Sequence, residues 1–69
     1  MAEIISNETY NLLAVLLSKL EGLEAYDQYM EDLSDENKRI LEQISRDDER
    51  HAELLRSAVE KMVKDGGLK

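Results

Sequence analysis

The 69-residue chain contains no cysteine, proline, tryptophan or phenylalanine, and it has a single histidine. Without cysteine it can form neither a disulfide nor a thiolate metal site, so a metal ion would have to bind oxygen ligands and one imidazole. The lack of proline, together with many Leu, Glu, Ala, Lys and Arg residues, is typical of helical proteins. The sequence therefore predicts an all-α protein.

Several classes of partner and chemistry lack support in the sequence. The net charge of -7 argues against nucleic acid or an anionic membrane surface as partner. The longest apolar run, residues 12–17, is about a third of the length that a bilayer requires. No glycine-rich phosphate loop or nucleophile elbow is present. Because the N-terminus carries Glu3 and no basic region, we expect a cytoplasmic protein, or one enclosed in a compartment through a partner.

Hydrophobic periodicity predicts two long helices in one domain, residues 1–69. The first runs from about residue 7 to 33, with Ser6 or Asn7 as its N-cap. Ser34 begins the only polar cluster with turn chemistry and can cap a second helix, from about 35 to 65, which Gly66 would end. Apolar residues of the first helix recur every three or four positions, at Leu12, Leu13, Leu16, Leu17, Leu20, Leu23, Tyr26, Met30 and Leu33.

The short turn makes the two helices antiparallel neighbours. A single hairpin cannot cover such wide apolar stripes, whereas two hairpins packed face to face form a four-helix bundle. We therefore expect self-association into a dimer, or into a ring of dimers, with symmetry placing equivalent sites close together.

Asp48 and His51 are the strongest candidates for a functional pair. Their spacing of three residues places them on one side of a helix, and we expect that side to be the buried one. A carboxylate and an imidazole in an apolar stripe cost free energy unless a partner satisfies them, and a metal ion would do so. Two simpler interpretations stay open: a histidine hydrogen-bonded to a carboxylate without metal, and an Asp48 that only solvates the surface.

Acidic residues on the first helix could complete such a site. Glu21 has the height of Asp48 along the hairpin but lies at the edge of the stripe, whereas Glu24 faces inward, one turn nearer the loop. Asp27 faces inward too. Another possibility is that the inward acids pair with Arg46 or Arg50 across a subunit interface.

The second helix resembles the ferritin-like superfamily, especially its rubrerythrin-like and two-helix encapsulated-ferritin branches. These families carry a pattern like I-x-x-D-E-x-x-H, in which Glu and His bind iron. The positions of that pattern are occupied here by Ile44, Asp47, Asp48 and His51. The aspartate at position 48 is one methylene shorter than the family's glutamate.

The first helix resembles the families' E-x-x-A-x-x-x-Y pattern less closely. Ala25 and Tyr29 match its Ala and Tyr, but the glutamate position, a third iron ligand in those families, falls on Gly22. A glycine inside a helix costs about 1 kcal/mol relative to alanine.

Oxygen ligands with one imidazole per chain suit iron or manganese, with zinc able to bind opportunistically, and we expect the site at a subunit interface. The resemblance implies oxidation of Fe(II) by dioxygen or peroxide as its activity. His51 would be a terminal ligand, Asp48 a bridging or terminal carboxylate, and Glu24 or Glu21 the remaining carboxylate. The alternative is a non-catalytic helical-hairpin assembly or adaptor module that has lost the metal site. A docking domain cut from a larger assembly is a third interpretation.

Overall fold

The computed structural model describes residues 4–66, which fold into two α-helices with no β-strand among them. Helix α1 spans Asn7–Met30 and helix α2 spans Asp35–Lys64, with residues 31–34 joining them. The helices pack against each other as an antiparallel hairpin, which measures 49 × 18 × 11 Å. The prediction of two helices joined by a tight turn is confirmed. No helix within residues 4–66 is long and apolar enough to cross a membrane.

The helix ends follow the predicted capping residues. The Ser6 side chain accepts a hydrogen bond from the Thr9 backbone N–H at 3.1 Å, and Ser34 accepts one from that of Asn37 at 3.3 Å. Gly66 follows α2 with a φ of +88°, the left-handed conformation expected of it. Helix α1 ends three residues earlier than predicted, at Met30, because no Gly or Pro marks its end in the sequence.

The contact between the helices is a regular seam with alternating spacings of three and four residues, the pattern of a coiled coil. Its members are half-buried except Ala52, which is buried. We call the following residues the seam: Leu12, Leu16, Lys19, Leu23, Tyr26 and Met30 of α1, and Leu41, Ser45, Asp48, Ala52, Leu55, Val59 and Met62 of α2.

Two further apolar surfaces lie on opposite sides of the hairpin. Because both helices are right-handed and run antiparallel, residues that follow a seam residue by one position lie on the same side of the hairpin in both helices. Residues that precede a seam residue by one position lie on the opposite side of the hairpin. The first side carries the leucine face, defined as Tyr10, Leu13, Leu17 and Leu20 of α1. The second side carries the histidine face, defined as Ile40, Ile44, His51 and Leu54 of α2 with Val15, Gly22 and Tyr29 of α1. All residues of both faces are exposed.

The single inward stripe predicted for the first helix is thus divided. Leu12, Leu16 and Leu23 contact α2, whereas Leu13, Leu17 and Leu20 are exposed. One neighbouring helix covers only part of an apolar arc, so the remaining part of the arc faces solvent.

Little of the hairpin is fully buried. Among the described residues only Thr9 and Ala52 are buried. The protein exposes 5437 Å², about 1,000 Å² more than the roughly 4,400 Å² expected for a compact monomer of this mass. The elongated shape of the hairpin accounts for surface of this kind, because each helix has only one neighbour.

Candidate functional site

Asp48 lies at the centre of a polar cluster in the seam, with its side chain 24% exposed. The Tyr26 hydroxyl donates a hydrogen bond to Asp48 Oδ2 at 2.7 Å. Lys19 Nζ lies 3.7 Å from Asp48 Oδ1, and His51 Nδ1 lies 3.6 Å from the same oxygen. Three side chains from two helices therefore surround one carboxylate.

Helix geometry explains why Tyr26 reaches Asp48. Side chains on a helix lean toward its N-terminus. In an antiparallel hairpin, Tyr26 therefore leans away from the turn, and Asp48 leans toward it. The edge-on contact of the Tyr26 ring with Tyr29, at a centroid distance of 6.4 Å, adds support to the ring.

The cluster favours the ionised form of Asp48. The Tyr26 hydrogen bond lowers the pKa of the Asp48 carboxyl, and the charges of Lys19 and His51 act in the same direction, against the opposing effect of desolvation. The same hydrogen bond raises the pKa of Tyr26, with desolvation and the Asp48 charge adding to it. The site is therefore a carboxylate anion beside a protonated phenol.

His51 lies at the solvent-exposed edge of this cluster. Its side chain is 50% exposed, and the 3.6 Å separation from Asp48 is too long for a hydrogen bond. Within one hairpin Asp48 is half-buried and His51 is exposed, so of the two residues only Asp48 lies in the stripe that α1 covers. The seam residue after Asp48 is Ala52, and His51 precedes Ala52 by one position. His51 therefore lies beside the seam, on the histidine face. With Nδ1 toward Asp48, the imidazole directs Nε2 away from it.

The two acids predicted from the first helix lie elsewhere in the hairpin. Glu24 follows the seam residue Leu23, so it continues the leucine face, on the side opposite His51. Glu21 lies on the part of α1 directed away from α2. Within residues 4–66 no three His, Asp or Glu side chains come together as a potential metal site. The structure thus brings together two of the four predicted ligands, and the roles of Glu21 and Glu24 as ligands stay predictions.

Asp27 also continues the leucine face, and the arginines considered as its partners have acidic neighbours within α2. Arg46 Nη2 lies 3.7 Å from Glu42 Oε2, and Arg50 Nη2 lies 2.9 Å from Asp47 Oδ1. Pairing of these arginines with α1 acids across a subunit interface stays a prediction.

Gly22 lies at nearly the same level along the hairpin as Asp48. Lys19 and Tyr26, the two α1 residues that reach Asp48, lie three residues before Gly22 and four residues after it. Gly22 lies on the histidine face, and a Cβ added there would meet no atom within 4 Å. Gly22 therefore does not serve a close contact between the two helices of one chain. A side chain at this position would have open space beside the Asp48–His51 pair.

Lys19 and Tyr26 are the members of the cluster that the sequence interpretation missed. Tyr26 stands in the sequence only as one of the apolar positions of the first helix, and Lys19 has no place in that pattern. The spacing of the seam could have found them, because both residues share its three-and-four repeat with Leu12, Leu16 and Leu23.

The chain was also compared with known proteins. No protein-family model matches it, and neither a curated protein nor a solved structure matches it significantly.

Proposed function

We propose that the protein is a self-associating, ferritin-like helical hairpin, and that Asp48 and His51 from two chains together bind a divalent metal ion of the iron type. The observation that carries this proposal is the ionised Asp48 carboxylate, 3.6 Å from an exposed imidazole on an apolar face. One chain supplies two ligands, and a two-fold axis through the histidine face would supply two more.

Surface area supports self-association. The excess of about 1,000 Å² over a compact monomer is similar to the roughly 800 Å² that each partner buries in an interface of standard size. The exposed Leu54 side chain lies one turn from His51, and Ile44 and Ile40 lie two and three turns from it on the same side, with Asp47 between them. Exposed apolar residues along one face are expected of an interface. Packing two histidine faces together would produce a four-helix bundle.

Donor chemistry supports a metal of the iron type. A carboxylate oxygen and an imidazole nitrogen suit Fe(II) or Mn(II), and Zn(II) can bind the same donors. Asp48 and His51 would hold the ion, while Tyr26 and Lys19 position the carboxylate. By the resemblance, bound Fe(II) would be the substrate, and dioxygen or peroxide would accept its electron.

A second candidate function is a hairpin that assembles without metal. It is favoured by Tyr26 and Lys19, which already satisfy Asp48, and by Gly22 at the position of the family's third ligand. Under this alternative the polar cluster fixes the alignment of the two helices, as buried polar residues do in coiled coils.

Metal content and Fe(II) oxidation test the first proposal. The purified 69-residue protein should bind Fe(II) or Mn(II) at no less than half an ion per chain, and His51→Ala should lose this binding. Glu49→Ala is the matched control, because Glu49 is exposed and follows the seam residue Asp48, on the side opposite His51. Absence of binding in the unaltered protein, with oxidation no faster than buffer, would reject the metal function and leave the second candidate.

The Gly22→Glu variant offers a gain-of-function test of the same site. It places a carboxylate beside the Asp48–His51 pair, where the structure has open space. We expect at least a tenfold increase in metal affinity, abolished by adding His51→Ala. Glu24→Gln is the control, and if it lowers affinity as much as His51→Ala does, the ligand set must include Glu24.

A further inference from the structure

The leucine face contains an unfilled hole of the kind that coiled coils use to receive a side chain. A shallow cavity of about 390 Å³ is lined by Ile5, Tyr10, Leu13, Ala14 and Leu17. The four lining residues of α1 have the spacing i, i+3, i+4 and i+7, the arrangement that surrounds a knob from a facing helix. The apolar lining and its spacing therefore suit an apolar side chain presented by another helix.

The leucine face also carries a suitable knob. Leu17, with 58% of its surface exposed, protrudes most among the four residues of the face. If a second α1 runs antiparallel across the first, its Leu17 can enter the hole centred between Leu13 and Ala14. Two-fold symmetry makes the exchange mutual, so each α1 provides one knob and one hole.

The helix dipole of α1 favours the antiparallel direction, and the acidic residue of its first turn, Glu8, lies on the side away from the leucine face. With Leu17 in the partner's hole, Glu24 lies at the height of the partner's Ser6, the N-cap of α1, and Glu21 lies just above it. An acidic side chain beside a helix N-terminus is stabilised by the helix dipole. A parallel arrangement would instead place Glu24 beside its own copy and lose this attraction.

The neighbouring helix provides a polar rim on this side of the hairpin. The α2 positions that share the side include Glu53, Arg56 and Glu60, and Arg56 pairs with both glutamates. An apolar stripe one helix wide with charged residues beside it matches a narrow helix-to-helix contact.

We propose that the leucine face is a self-association surface at which α1 packs antiparallel on α1 of a second copy, with Leu17 of each chain in the Ile5–Tyr10–Leu13–Ala14–Leu17 cavity of the other. This contact is separate from the histidine face and does not depend on metal. A chain that uses both faces binds two neighbouring chains. Repetition of the two contacts forms a ring if the rotation between successive subunits returns to the first subunit.

Paired substitutions test each face by itself. Leu17→Glu places a charge on the leucine face, and Leu54→Glu, at a residue 66% exposed, places one on the histidine face. Size measured by light scattering should fall to a dimer in either single variant and to a monomer in the double variant. Circular dichroism checks that each variant stays helical. If Leu17→Glu has the same size as the unaltered protein, the leucine face is not a self-association surface. If Leu54→Glu has the same size as the unaltered protein, the histidine face is not the interface of the proposed function.

Cross-linking tests the direction of the contact, and the chain has no native cysteine to interfere. In the antiparallel arrangement the two copies of residue 17 lie about four residues apart in height, or roughly 6 Å, and those of residue 20 about 15 Å apart. A short bis-maleimide should therefore link Leu17→Cys into dimers at least five times more efficiently than Leu20→Cys. Equal yields would overturn the antiparallel contact.

Discussion

The Tyr26 hydroxyl and the Asp48 carboxylate join the two helices through a 2.7 Å hydrogen bond between residues 22 positions apart in the chain. Most other side-chain hydrogen bonds and ion pairs among the described residues link positions three or four apart on one helix. The Tyr26–Asp48 bond therefore has an effect that local pairs lack, because it fixes the height of one helix against the other.

Removing this hydroxyl should destabilise the hairpin. We expect Tyr26→Phe to lower the midpoint of thermal unfolding, because the Asp48 carboxylate loses its hydrogen-bond donor while the ring keeps its packing. Circular dichroism measures the midpoint. Tyr29→Phe is the matched control, since that ring is exposed, and an equal decrease in both variants would contradict the role of the bond.

The same bond predicts the pH dependence of stability. The pKa of Asp48 is lowered in the folded protein, so its contribution is present above the unfolded pKa of about 4 and is lost as pH falls through the lower folded value. The pKa of Tyr26 is raised, so its contribution is present below the unfolded value of about 10 and is lost as pH rises through the folded one. The stability difference between the unaltered protein and Tyr26→Phe should therefore be largest between these limits. A difference that does not change with pH would refute the assignment.

Gly22→Ala should stabilise each hairpin by about 1 kcal/mol, because alanine favours the helix and the added Cβ meets no neighbour. Urea unfolding, extrapolated to water, measures the change. The size of the assembly provides a second measurement, since the new methyl group lies on the histidine face. Stabilisation with unchanged size would show that nothing packs tightly against Gly22, and destabilisation would show that a partner does.

Two adjacent leucines should respond differently to truncation. Leu16→Ala removes a seam contact and should cost about 2 kcal/mol in folding free energy. Leu17→Ala removes an exposed side chain and should cost less than about 0.5 kcal/mol in dilute, monomeric protein. Denaturant unfolding at low concentration compares the two. A larger effect at Leu17 would contradict the observed rotation of α1.

Local signals predicted the fold more completely than they predicted the site. Ser6 and Ser34 begin the two helices and Gly66 follows the end of α2, as expected. These signals are local, because each cap depends on residues within one turn of it. The site depends on the rotation of α1 against α2, which no local rule determines. Leu16 and Leu17 are about 100° apart around the axis of α1, so its rotation decides which of them contacts α2. The same rotation places Glu24 on the side opposite His51.

The position of the two apolar faces on opposite sides of the hairpin has a consequence for growth. A subunit with one self-association surface has a valence of one and forms only dimers. With two such surfaces this hairpin would have a valence of two, like a bifunctional monomer. A variant with a charge on one surface, such as Leu17→Glu, would then act as a chain terminator when mixed with unaltered protein. The mixing ratio would set the average length of the assembly, in the way that monofunctional monomers limit a condensation polymer.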